Sequence, residues 1–219
     1  MDNIKGNRES GVFELTPFQK DALNELCHIA SSHAVTSLAE LTGTTFDIEV
    51  PTINVVPIKE VKYRIEAEKI VAGILIKVDG KYPGYMYILF PERSAFRLID
   101  VLLCRMPGET RNIETEMEKS ALMETGNIFA STFCDVVADC LNLTLMPSPP
   151  SFAFDMVGAM IDPALVAIAQ AHETEHVILF KYAFHEEENG IYGDILLFPY
   201  LEGLKEGLSI LERKISEKN

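Results

Sequence analysis

The chain has 219 residues, enough for one large domain or two small ones sharing a core, and a chain this long buries roughly 70% of its unfolded surface without staples. Nineteen Lys and Arg against thirty-three Asp and Glu give a net charge of −14, which speaks against nonspecific binding to nucleic acid or anionic lipid, since both reward cations. The four cysteines (Cys27, Cys104, Cys134, Cys140) show no CxxC spacing, and no apolar run reaches the ~18 residues of a membrane span, so a soluble, cytoplasmic protein with reduced thiols is expected.

Residues 1–15 read as an N-terminal extension. The first predicted helix opens at Thr16, where Thr16 and Gln19 form a capping box and Pro17 takes the first helical position, and it stops at Gly43. Leu23, Leu26, Ala30, Ala34, Leu38 and Leu41 gather on one arc, with His33 packed at its flank; Asp21, Glu25, His28, Ser32 and Thr36 form a polar stripe opposite. An extended segment, "FDIEVPTINVVP", follows. "KIVAGILIKV" and "YMYILFP" around "DGKYPG" then read as a hairpin, and "ERSAFRLIDVLLCR" returns to helical spacing.

The pattern then recurs. "TEMEKSALMETGNIFASTFCDVVADCLN" opens on a second capping box, Thr115 to Glu118. It buries Leu122, Phe129, Phe133, Val136, Val137 and Cys140, and presents Ser120, Glu124, Asn127, Ser131 and Asp135 opposite. An extended "SFAFDMVGAMI", a short helix "PALVAIAQA", a hairpin from "HVILFKYAFH" to "IYGDILLFP" and a last helix "YLEGLKEGLSILERK" complete the chain. The acidic runs "IETEMEK" and "HEEENG" read as helix-start and turn chemistry.

At an offset of 99 the two long helices match: Asp21 on Ser120, Glu25 on Glu124, Ile29 on Ile128, Ser32 on Ser131, and Pro51 on Pro150. The offset grows to 108 at Pro91 and Pro199. The expected fold is therefore α/β (α+β), a duplicated helix-strand-strand-strand-helix unit with halves at about 16–108 and 115–214 of a single domain. Each half has too little sheet to bury its apolar face alone, so the halves should share one mostly antiparallel six-stranded sheet.

A merely solvated face has no reason to keep its glutamate and a downstream proline in both copies. Glu124 and Asn127 stand at i and i+3 and can reach one small target together. They lack a histidine for nucleophilic chemistry and are too few oxygens for a metal. A carboxamide can hold a water by donor and acceptor at once, which suffices when the electrophile is already activated, as in loose phosphoryl transfer.

Ser120, Glu124 and Asn127, followed by Pro150, resemble the active-site signature of the CheC/CheX/FliY chemotaxis phosphatases; "SALMETGNIFAS" resembles the second CheC motif and "DALNELCHIASSHAVTSLAELTG" the first. The resemblance spans the chain and best fits CheC. CheX-type proteins are shorter with one motif, and FliY-type proteins carry a further switch domain that this sequence lacks. It implies two long helices side by side on the sheet, a phosphorylated CheY-type response regulator as substrate, Asn127 orienting water and Glu124 pairing with a lysine of the regulator. It implies no cofactor or metal of the protein's own, Mg²⁺ residing in the partner, and CheD, a receptor glutamine deamidase, as a further partner.

The first motif departs from the pattern. Asp21, Glu25 and Pro51 are in place, but His28 stands at the Asn position and Cys27 at the preceding Gly. Imidazole cannot donate and accept from one cluster of atoms as an amide does, and Cys27 adds bulk where a partner approaches, so a weak or inactive first site is expected. Ser120 and Pro150 are supporting residues; the Ser120 hydroxyl has the rival role of bonding a carbonyl one turn back. An alternative is a non-catalytic adaptor binding CheD or a flagellar or archaellar switch component. A zinc hydrolase through "HETEH" at 172–176 is the weakest reading, because the strand-like "VILFKYAFH" follows at once and the third histidine is missing.

Overall fold

The computed structural model describes residues 15–81, 83–172 and 174–216. Nearly all of the N-terminal extension, Tyr82 of the first hairpin turn and Glu173 of "HETEH" fall outside them.

Helix α1 runs Pro17–Thr42 and α3 runs Glu116–Leu141. Both predicted capping boxes form: Thr16 with Gln19, and Thr115 with Glu118. Both helices end on a left-handed residue, Gly43 at φ 72° and its counterpart Asn142 at φ 52°, which leaves a carbonyl of the last turn a donor to receive.

The sheet has eight strand segments filling six positions. In the first half these are β1 (Asp47–Ile48), β2 (Thr52–Pro57), β3 (Ile70–Gly80) and β4 (Gly84–Pro91); in the second, β5 (Leu145–Pro147), β6 (Ser151–Met156), β7 (His176–Glu186) and β8 (Ile191–Pro199). β1 and β2 both pair with β7, and β5 and β6 both pair with β3, so each outer strand is one strand broken in two near Pro51 or Pro150. Proline cannot donate to a ladder, which confines such breaks to edges. The order is β1/β2, β7, β8, β4, β3, β5/β6, and every pairing is antiparallel.

Each outer strand thus crosses to the other half. Ile53 faces Phe180 as Phe152 faces Ile74, so the pairings repeat at offsets of 99 and 106. The hairpins add the last two residues of the offset, 108 at Pro199. At the centre lie β4 and β8, antiparallel copies of one strand. Along β4, Met86, Ile88 and Phe90 enter a core roofed by α1, α3, α2 (Glu92–Leu102) and α5 (Leu201–Ser216), while Tyr87 and Leu89 enter a second core on the other face.

That second core rests on a 3₁₀ turn, Ile58–Tyr63, and on α4. Here the sequence reading is corrected. α4 spans Val157–His172, six residues before the expected start at Pro163, which lies inside the helix. Its first amides have no capping side chain; Val157 donates to the Lys69 carbonyl and Gly158 to that of Ala67, at 3.0 and 2.8 Å. A helix start satisfied by a distant backbone leaves no local signal.

Candidate active site

Both polar stripes face out. Ser120 and Glu124 are exposed and Asn127 is half-buried on α3; Asp21, Glu25 and His28 are exposed on α1. Among the described residues no side-chain hydrogen bond or ion pair engages any of these six, and Ser120 bonds no carbonyl one turn back, although Thr125 donates to Ala121 in that way at 3.1 Å. Pro51 is buried and Pro150 half-buried, each in the broken outer strand that flanks its own helix. His33, expected at a packed flank, is exposed, as is Leu41 in the last turn of the apolar arc.

The two faces lie far apart. α1 and α3 sit on the same side of a sheet whose halves repeat around the antiparallel pair β4 and β8, so the rotation relating them is perpendicular to the sheet. Such a rotation reverses every direction in the plane, and the helices therefore run antiparallel. They touch through their later turns, with the Ser37 and Thr132 hydroxyls 3.2 Å apart. Glu25 precedes Ser37 by 12 residues and Glu124 precedes Thr132 by 8. At 1.5 Å per residue the two glutamates lie ~30 Å from one another. Each face must work alone.

Cys27 and its counterpart Gly126 both point inward, so the expected obstruction of the surface by Cys27 does not occur. The difference lies underneath. At Gly126 an added Cβ would stand 2.5 Å from Ile74 Cγ2 of β3, so α3 rests directly on the sheet because it has no side chain there. At Cys27 the thiol fills that layer against the Tyr182 hydroxyl, and burial pushes its pKa up to about 12. Burial also holds Cys134 at about 12, so neither buried thiol is a nucleophile near neutral pH.

The start of α3 is clamped. Arg105 donates to Glu118 Oε1 at 2.7 Å and to Thr110 Oγ1 at 2.9 Å, while Glu118 Oε2 receives the amides of Glu114 and Thr115. Arg105 and these amides hold the Glu118 carboxyl down at about 2, against an ordinary value of 4.5. On α1 the counterpart residue Gln19 donates to Glu212 of α5 at 3.0 Å.

The model of the CheC-like family matches residues 18–55 and 117–153, the two segments holding the repeated helices and their prolines. CheY-P phosphatase CheC of Bacillus subtilis (strain 168) is 32% identical over 173 residues, covering 78% of this chain and 82% of that protein. The chain belongs to the CheC-like family. The crystal structure of Thermotoga maritima FliY has the same fold, with a TM-score of 0.73 at 19% identity over 92% of this chain and all of that one. A chain in the crystal structure of the CheX–CheY–BeF₃–Mg²⁺ complex from Borrelia burgdorferi matches with a TM-score of 0.53 at 13% identity, over 80% of this chain and 96% of that one.

Within a CheC-like chain, the structure adds an apolar flank that the sequence reading missed. Met117 is exposed one turn before Ser120, and its counterpart Phe18 one turn before Asp21. Ile128 and Ile29 continue the flank beside each motif. The signal was present: Phe18 falls on Met117 at the same offset of 99. Large apolar side chains kept in the open beside a repeated carboxylate suit a protein partner. The "HETEH" histidines do not form a zinc motif, since α4 ends at His172 and His176 already pairs with Pro57 in β7.

Proposed function

We propose that this protein is a phosphatase that hydrolyses the aspartyl phosphate of a CheY-type response regulator, with α3 as its working face. Asn127 holds a water by its carboxamide; the water oxygen attacks phosphorus as the bond to the aspartyl oxygen breaks, leaving inorganic phosphate and a free carboxylate. Glu124, one turn away, pairs with a lysine of the regulator, and Met117 and Ile128 supply the apolar contact that seats it. The divalent cation belongs to the regulator in this reading. The observation that carries it is the free, outward Glu124–Asn127 pair, on a helix start fixed by Arg105, in a chain of the CheC-like family. Decay of the phosphorylated regulator tests it: wild-type protein accelerates the decay, and Asn127→Ala loses on the order of 100-fold of that acceleration.

One observation favours a second role for α1. That face keeps Glu25 and the exposed Phe18 and Ile29 but lacks the amide. It is suited to binding a regulator, CheD or a switch component without turnover. If wild-type protein binds the phosphorylated regulator and leaves its decay rate unchanged, the adaptor role describes the whole molecule.

A further inference from the structure

The core under α1 is not full. An apolar pocket of about 120 Å³, partly open to solvent, lies between α1, α3, α5 and the sheet, with Leu23 and Cys27 above, Phe133 beside, Phe180 and Leu197 below, and Gly207 of α5 at its wall. Among the described residues that line it none is charged. The duplication explains why it exists. At the offset of 108, Gly207 stands where α2 carries Ile99, which is 0% exposed in the core. A four-carbon side chain that fills space in one half is absent in the other. Where the second copy has Gly126, which lets α3 press onto Ile74, the first copy has the buried Cys27, so α1 stands over the gap rather than settling into it.

A void of this kind does not hold water well. A water needs two to four polar partners, and the walls offer little beyond two weakly bonding thiols, Cys27 and Cys134. An enclosed cavity of about 150 Å³ with a similar Leu, Ile and Phe lining in another protein stays dry and takes up benzene or xenon. A charged or strongly polar guest would lose its hydration with nothing to replace it.

We propose that this cavity is a binding site for a small uncharged apolar molecule, the size of one aromatic ring or a short alkyl chain. Its roof is the turn of α1 whose outer side carries Glu25 and His28, so an occupant braces that turn from beneath. The proposal does not depend on phosphatase activity. Benzene is the solution probe and xenon the crystallographic one. Benzene at ten times its dissociation constant should raise the Tm of the full chain by about 4 °C, and xenon under pressure should give a density peak beside Cys27. Gly207→Ile, which restores the missing side chain, should raise the ligand-free Tm and abolish both responses. Absence of a benzene shift together with an empty cavity under xenon overturns the proposal, and so does a benzene shift that persists undiminished in Gly207→Ile. Should that variant fail to fold, xenon in wild-type crystals decides alone, density beside Cys27 supporting the site and its absence ending it.

Discussion

The turn of α3 carrying Glu124 and the turn of α1 carrying Glu25 share a sheet face, a capping box and an outward carboxylate. They part company below the surface. α3 presses Gly126 onto Ile74 and is anchored by Arg105 through the buried Glu118; α1 lays Cys27 over a gap and is tied by Gln19 to Glu212. The amide belongs to the firmly seated copy and the imidazole to the loosely seated one. A water held for in-line attack needs a fixed platform, because displacement by about 1 Å can cost 100-fold in rate. On the function proposed above, support and chemistry go together in one half and are relaxed together in the other.

The largest expected effect removes the anchor. Arg105→Ala deprives a buried carboxylate of its cation, leaving it only two backbone amides, and should cost about 3 kcal/mol in urea unfolding at neutral pH. Its acid behaviour sharpens the test. Because Glu118 is depressed from 4.5 to about 2, the stability it contributes is fully present above its unfolded value and fades as pH falls toward its folded one. Wild-type protein should lose stability across that window, and Arg105→Ala should lose distinctly less there. Asn127→Ala follows, with its 100-fold loss, or about 2.7 kcal/mol of activation free energy, whereas His28→Ala should change regulator dephosphorylation by less than about twofold. Equal losses in both variants would erase the distinction between the faces.

Gly126→Cys imitates α1 within α3. The added side chain meets Ile74, so a cost of about 2 kcal/mol in stability and a parallel fall in activity are expected. In an Ile74→Ala background the further cost of Gly126→Ala should largely vanish, a coupling read from a double-mutant cycle. The smallest effect is a gain: His28→Asn should raise turnover by up to about threefold if the amide is the missing part. No gain in that variant would place the defect in the seating of α1, and Gly207→Ile added to it would then be the informative combination.

Much of this was legible in the residues. The offset that aligned Glu25 with Glu124 and Pro51 with Pro150 located both faces and both broken outer strands, because duplication lets a chain serve as its own comparison. Thr16, Gln19, Thr115 and Glu118 announced the helix starts through local chemistry. The acidic "HEEENG" proved to be a turn in which Glu186 receives the amides of Glu188 and Asn189 at 2.9 Å each, as its composition suggested. What escaped was set by contacts remote in sequence. The first amides of α4 donate to carbonyls of the 67–69 loop, so "DMVGAMI" reads in sequence as more strand. The inward direction of Cys27 followed from its helical phase, but its consequence depended on Tyr182, 155 residues away. The flank of Met117 and Phe18 shows only when the halves are aligned, because an exposed apolar residue is ordinary when it stands alone.

Both margins of the sheet are interrupted where Pro51 and Pro150 withhold an amide. An intact outermost strand would offer passing chains an unbroken template, and in a crowded cell such templates seed fibres. Here a newcomer finds a piece of two or three residues and another of six instead of one continuous strand. The broad, open-ended sheet thus has broken margins, and its helical side lies clear of them.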